Sequence, residues 1–118
     1  MFSLSSHHCF WLYRESTDMR KAFDGLCGLV TNQIKRNPAS GEVFIFINKT
    51  RDKIKLLHWE QTGFTIYYKR LEKGTFEIPK FDGLAGQIHW PELVMIIEGI
   101  SIKNIQKRKR FYSQTVDN

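Results

Sequence analysis

Residues 41–71 read GEVFIFINKTRDKIKLLHWEQTGFTIYYKRL. Three apolar runs, Val43–Asn48, Lys53–Glu60 and Phe64–Leu71, are separated by short polar segments. β-Branched and aromatic residues dominate them, which suits a pleated, half-buried surface. Lys49–Asp52 reads as a four-residue turn. Gln61-Thr62-Gly63 reads as a three-residue turn carrying glycine. The pattern is an antiparallel meander, and lysine and arginine recur along it.

Turns of those lengths set a register. Ile47 falls opposite Ile54 and Ile45 opposite Leu56, with Tyr68 beyond Leu56. Alternation then collects Ile45, Ile47, Ile54, Leu56, Ile66 and Tyr68 on one side. The other side carries Phe44, Phe46, Lys55, Leu57, Trp59, Tyr67 and Lys69. The first set is the expected seat of the first helix. The second mixes aromatics with lysines. Either the second helix covers its apolar part while the lysines reach to water, or it is a free surface. A one-residue slip exchanges the faces.

Working outward, Cys9–Arg14 (CFWLYR) reads as a first strand. Thr17 can cap a helix, and Asp18 suits its positive end. Phe23, Leu26, Val30 and Ile34 then recur at helical spacing, and Asn37–Gly41 supplies a turn that ends the helix. Beyond the meander, Thr75–Ile78 reads as a short edge strand and residues 80–86 as a loop. Pro91 suits the first turn of a second helix, and Gly99 suits its stop. The expected fold is one α+β domain over residues 1–100. It has a single antiparallel sheet of four to six strands packed with two helices. Residues 101–118 are expected to be a basic, flexible tail.

A chain of 118 residues fits one domain. The net charge of +6 favours anionic partners. Lys49, Arg51, Lys53 and Lys55 lie close in sequence, Lys69 and Arg70 follow, and Lys107, Arg108, Lys109 and Arg110 form a run. Such residues neutralise phosphates, and neighbouring aromatics can stack on bases. Cys9 and Cys27 do not make a disulfide framework and read as reduced thiols of a cytoplasmic protein. The N-terminus is not a signal peptide, and no apolar run is long enough for a membrane span.

Catalytic patterns are weak. Asp18, Asp24, Asp52, Glu60, Glu72 and Glu77 are scattered over caps, turns and strand ends, so no two-metal site is expected. His7, His8 and Cys9 are adjacent in sequence rather than spaced as zinc ligands. No metal, cofactor or nucleophile motif emerges.

The motifs TDMRKAFDGL (Thr17–Leu26), GEVFIFIN, RDKIKLLHWE (Arg51–Glu60) and GFTIYYKRLEKGTFEIP (Gly63–Pro79) occur in this order. With them the chain resembles the small accessory protein of bacterial insertion sequences of the IS sixty-six type, often called TnpB or the second open reading frame. It does not resemble the RNA-guided nuclease that shares that name. The resemblance implies a non-enzymatic helper encoded beside a separate transposase and needed for efficient transposition. The family's basic turn and strand map onto Lys49, Arg51, Lys53 and Lys55, and its DMRK segment onto Asp18–Lys21. Lys49-Thr50 stands where relatives often carry further arginines.

Two functional expectations follow. In the first, DNA is held mainly through phosphates by Arg20, Lys21, Lys49, Arg51, Lys53, Lys55, Lys69 and Arg70, with Lys107–Arg110 as a clamp. In the second, Phe44, Phe46, Leu57, Trp59 and Tyr67 form a docking face for the transposase.

Overall fold

The computed structural model describes residues 4–99. Its elements run β1 (Phe10–Tyr13), α1 (Phe23–Leu29), a π-helical turn (Val30–Ile34), β2 (Val43–Ile47), β3 (Lys53–Glu60), β4 (Gly63–Arg70), β5 (Ala85–Ile88) and α2 (Trp90–Ile97). The strands form one sheet in the order β4-β3-β2-β1-β5. Every pairing is antiparallel except β1 with β2, which α1 joins as a crossover. The expected α+β class is therefore correct, with one parallel pair making the sheet mixed. The expected tail with Lys107–Arg110 lies outside the described residues.

The β2–β3 register is the expected one, with Ile47 opposite Ile54 and Ile45 opposite Leu56. β4 is slipped by one residue from expectation. Glu60 pairs with Gly63, so the turn is Gln61-Thr62 alone, and Leu56 faces Tyr67 while Lys55 faces Tyr68. Gln61 takes φ +51°, and this positive φ lets the turn close without spending Gly63 on it. The slip moves Ile66 and Tyr68 to the side of Phe46 and Leu57. Tyr67 and Lys69 move to the side of Ile45 and Leu56.

The helices are also exchanged relative to expectation. α2 covers the face built from Phe10, Leu12, Val43, Ile45, Ile47, Ile54, Leu56 and Ile88, through Leu93 and Ile96. α1 covers Tyr13, Phe44, Phe46 and Leu57, through Leu26 and Val30. Phe44, Phe46 and Leu57 are wholly buried there. Both faces are apolar, so alternation identifies two faces but not which helix takes which.

Thr17 does not begin α1, which starts at Phe23. Its N–H donates to Ile47 O at 2.9 Å, tying the segment to the sheet. Two carbonyls that a helix would use, those of Met19 and Lys21, accept from Lys55 Nζ at 2.7 and 2.8 Å. Lys55 is only 7% exposed, and a buried ammonium must find acceptors. That demand holds residues 19–21 out of the helix.

Residues 75–78 are not a strand; Phe76 is a core residue whose N–H donates to Arg51 O at 2.6 Å. The edge strand beside β1 is β5, inside and just beyond the stretch expected as a loop. Gly86 sits opposite Leu12 with the Phe81 ring across it. A Cβ at Gly86 would stand 2.5 Å from Phe81 Cγ. Gly86→Val is therefore expected to cost about 1–3 kcal/mol through overpacking, read in a urea melt. A melt matching the wild type would mean that Phe81 swings away freely.

α2 begins as expected at a proline, and the Glu92 carboxylate accepts from the His89 N–H at 3.0 Å. Gly99, at φ +70°, donates its N–H to Ile96 O and ends the helix.

Candidate nucleic-acid interface

The β2–β3 turn is stiffened by its own side chains. Asn48 Oδ1 accepts from the N–H groups of Asp52 and Lys53 at 3.1 and 3.0 Å. Asn48 Nδ2 and Thr50 Oγ1 both donate to Asp52 Oδ1, at 2.8 and 2.7 Å. Beside it, the segment that Lys55 pins to the sheet carries Asp18 and Arg20. Arg20 grips Asp18 through Nε and Nη2, the shortest contact being 2.6 Å.

Between these two loops lies an open groove of about 620 Å³, lined by Ser16–Arg20, Asn48–Thr50, Lys53 and Tyr68. A smaller recess of about 310 Å³ adjoins it, lined by Lys53, Tyr68, Arg70 and Glu72. Lys53 and Tyr68 belong to both. Tyr68 is 52% exposed, and Lys55 Nζ stands 4.7 Å from its ring centroid. The lining thus holds four cations, Arg20, Lys49, Lys53 and Arg70, against the carboxylates of Asp18 and Glu72.

The structure separates the residues that the sequence grouped. Arg20, Lys49, Lys53 and Arg70 meet at the groove. Lys55 is an internal brace and not a surface cation. Lys69 lies on the α2 face, 4.0 Å from Glu98. Lys21 and Arg51 are exposed but do not line the groove. Arg70 pairs with Glu72 at 2.9 Å, and Lys53 stands 3.7 Å from Asp52. The Arg70–Glu72 pair is exposed and the Lys53–Asp52 pair partly so, and both are weak and open to exchange for a phosphate. Of the expected docking face, Phe44, Phe46 and Leu57 are under α1, and Tyr67 is on the opposite side of the sheet. Trp59 stays half-buried, edge-on to Phe64 at 4.9 Å between centroids. The sequence reading missed Tyr68 as a surface group, because its register turned that ring toward the core.

Two further clusters lie away from the groove. Arg36 stacks over Trp11 at 4.2 Å while both bind the Glu42 carboxylate, which closes the turn before β2. His8 and His58 meet edge-on at 4.8 Å, and burial, then His8, pushes the His58 imidazole down. Among the described residues, no group of three or more His, Cys, Asp or Glu side chains converges as a metal site.

Hydrogen bonds from Thr50 and then Asn48 hold the Asp52 carboxyl at about 2, against 3.8 for an ordinary Asp. The Arg20 guanidinium holds Asp18 at about 2 as well. Both folded values are depressed, so the stability they contribute is present above about pH 4 and is lost as pH falls through about 2. Asp52→Asn is expected to flatten the decline in stability across that window, measured by denaturant melts at stepped pH. An unaltered pH profile would show that the turn does not hold the ionised carboxylate.

Fold and groove together define a small α+β protein with a cation-rimmed aromatic concavity. Among the described residues no helix is long and apolar enough to cross a membrane. Residues 8–107 match the family described as IS66 Orf2 like protein, and the chain belongs to that family. It is a family of transposition accessory proteins of IS66 elements. The chain is 30% identical over 100 residues to uncharacterized protein y4hO of Sinorhizobium fredii (strain NBRC 101917 / NGR234), covering 85% of this chain and 87% of that one. It is 24% identical over 94 residues to uncharacterized protein y4jC of the same strain, covering 80% of each. No solved structure matches it.

Proposed function

We propose that this accessory protein is a non-enzymatic DNA-binding factor of the cytoplasm, acting on the DNA of its own element. The observation that carries the reading is the convergence of cations from three separate segments on one concavity. Arg20 comes from the pinned loop, Lys49 from the β2–β3 turn and Lys53 from the start of β3 that follows it, and Arg70 from the end of β4. Such groups meet phosphates and carry little sequence information, so binding is electrostatic and only weakly selective. Lys107–Arg110 adds charge to the same task.

The test is fluorescence anisotropy of the full chain against an element-end duplex, a scrambled duplex and a single strand, across a salt series. Binding that weakens steeply with salt supports the reading. No binding to any probe at low salt overturns it. The second reading, an adaptor that docks the element's transposase, is favoured by the half-buried Trp59–Phe64 pair beside the turn of the β3–β4 hairpin. In that case Trp59→Ala, still folded, fails to co-purify the transposase.

A further inference from the structure

We infer that the groove is a site for an unpaired nucleotide, whose base stacks on the Tyr68 ring while its flanking phosphates meet the rim cations. The inference rests on the DNA-binding reading and goes beyond it by naming the form of nucleic acid. Phosphate contacts alone do not distinguish a duplex from a single strand. An exposed aromatic ring does, because the face of a paired base inside a duplex is already covered by its neighbours.

The ring is built for this use in three respects. It is 52% exposed, although it stands on a strand whose same-side neighbours Phe64 and Ile66 pack into the core. It is braced from one side by Lys55, whose ammonium is fixed by two carbonyls and stands 4.7 Å from the ring centroid. A platform already held loses little freedom when a base settles on it. It also lines both concavities, so a nucleotide on it has Arg20 and Lys49 on one side and Arg70 on the other, with Lys53 common to both. The larger concavity, about 620 Å³, falls within the ~300–1,000 Å³ range of small-ligand sites. The buried Thr17 hydroxyl, which has no hydrogen-bond partner, belongs to its wall.

The experiment compares the wild-type chain with Tyr68→Phe, Tyr68→Leu and Tyr68→Ala. The probes are a single strand, a matched duplex, and a single strand carrying 2-aminopurine. Stacking predicts that the wild type prefers the single strand and quenches 2-aminopurine. Tyr68→Phe keeps both properties. Tyr68→Leu and Tyr68→Ala lose the quenching and weaken single-strand binding by about fivefold or more, with the duplex little affected. Circular dichroism melts confirm that the variants fold, as expected for a half-exposed side chain. A wild type that binds duplex as well as single strand, or a Tyr68→Leu chain that still quenches, overturns the stacking site and leaves the DNA-binding reading standing. A wild type that binds neither overturns both.

Discussion

Lys55→Met is expected to destabilise the fold by about 2 kcal/mol and to weaken DNA binding in the same variant. Lys55 Nζ donates to two carbonyls, at 2.7 and 2.8 Å, from a side chain that is only 7% exposed. Hydrogen bonds from a charged donor contribute ~1.5–3 kcal/mol each, and carbonyls left behind in a partly buried loop cost more still. The opposing effect is real, since methionine spares the desolvation of an ammonium. It does not cancel the loss, because removing one partner of a satisfied buried set leaves the other partners stranded. In a domain of this size, 2 kcal/mol lowers the melting temperature by roughly 10 °C. The functional consequence follows from position. The same ammonium keeps residues 19–21 out of α1 and braces the Tyr68 ring, so its loss frees both walls of the groove. Thermal melts and anisotropy on one preparation check both effects. A Lys55→Met chain with wild-type stability and affinity would show that Thr17 and its neighbours are held by other contacts.

How much of this was legible in the sequence depended on which signal each element gave. β2 and β3 were readable because their alternation and their turn agree, and Asn48, Thr50 and Asp52 are turn residues that bond as such. β4 was readable as a strand but not in register. Gly63 looks like a turn residue, and nothing local says that Gln61 will adopt a positive φ in its place. That single residue decided whether Tyr68 was core or surface, and so hid the central ring of the groove. β5 is not legible because Ala85-Gly86-Gln87-Ile88 has low strand propensity; it pairs with β1 nonetheless, and Gly86, opposite Leu12, leaves the room that the Phe81 ring fills. The position of Thr17 before an apolar stripe reads as a cap, yet a lysine 38 residues later claims the carbonyls of the first turn. Local propensity yielded to a buried charge that has to be satisfied.

Two sets of alanine substitutions, Lys49 with Lys53 in one chain and Lys107–Arg110 in another, are expected to divide the electrostatic part of binding. Each lysine or arginine that meets a phosphate contributes about one unit to the slope of log affinity against log salt. The tail variant removes four cations and is expected to flatten the slope by up to ~4. The groove variant removes two and flattens it by up to ~2. The two groove lysines are not equivalent. Lys53 stands 3.7 Å from Asp52 and must leave that carboxylate to meet a phosphate, whereas Lys49 has no ion pair among the described residues. Lys49→Ala alone therefore carries more than half of the groove effect. Arg20 and Arg70, held by Asp18 and Glu72, add less for the same reason. If groove and tail grip one DNA molecule, the combined variant shows the sum of the two slope changes and affinity drops by well over tenfold at moderate salt. A groove variant with an unchanged slope would remove the concavity from the DNA contact and leave the tail as its electrostatic source. An unchanged slope in both variants would reject phosphate binding by either set.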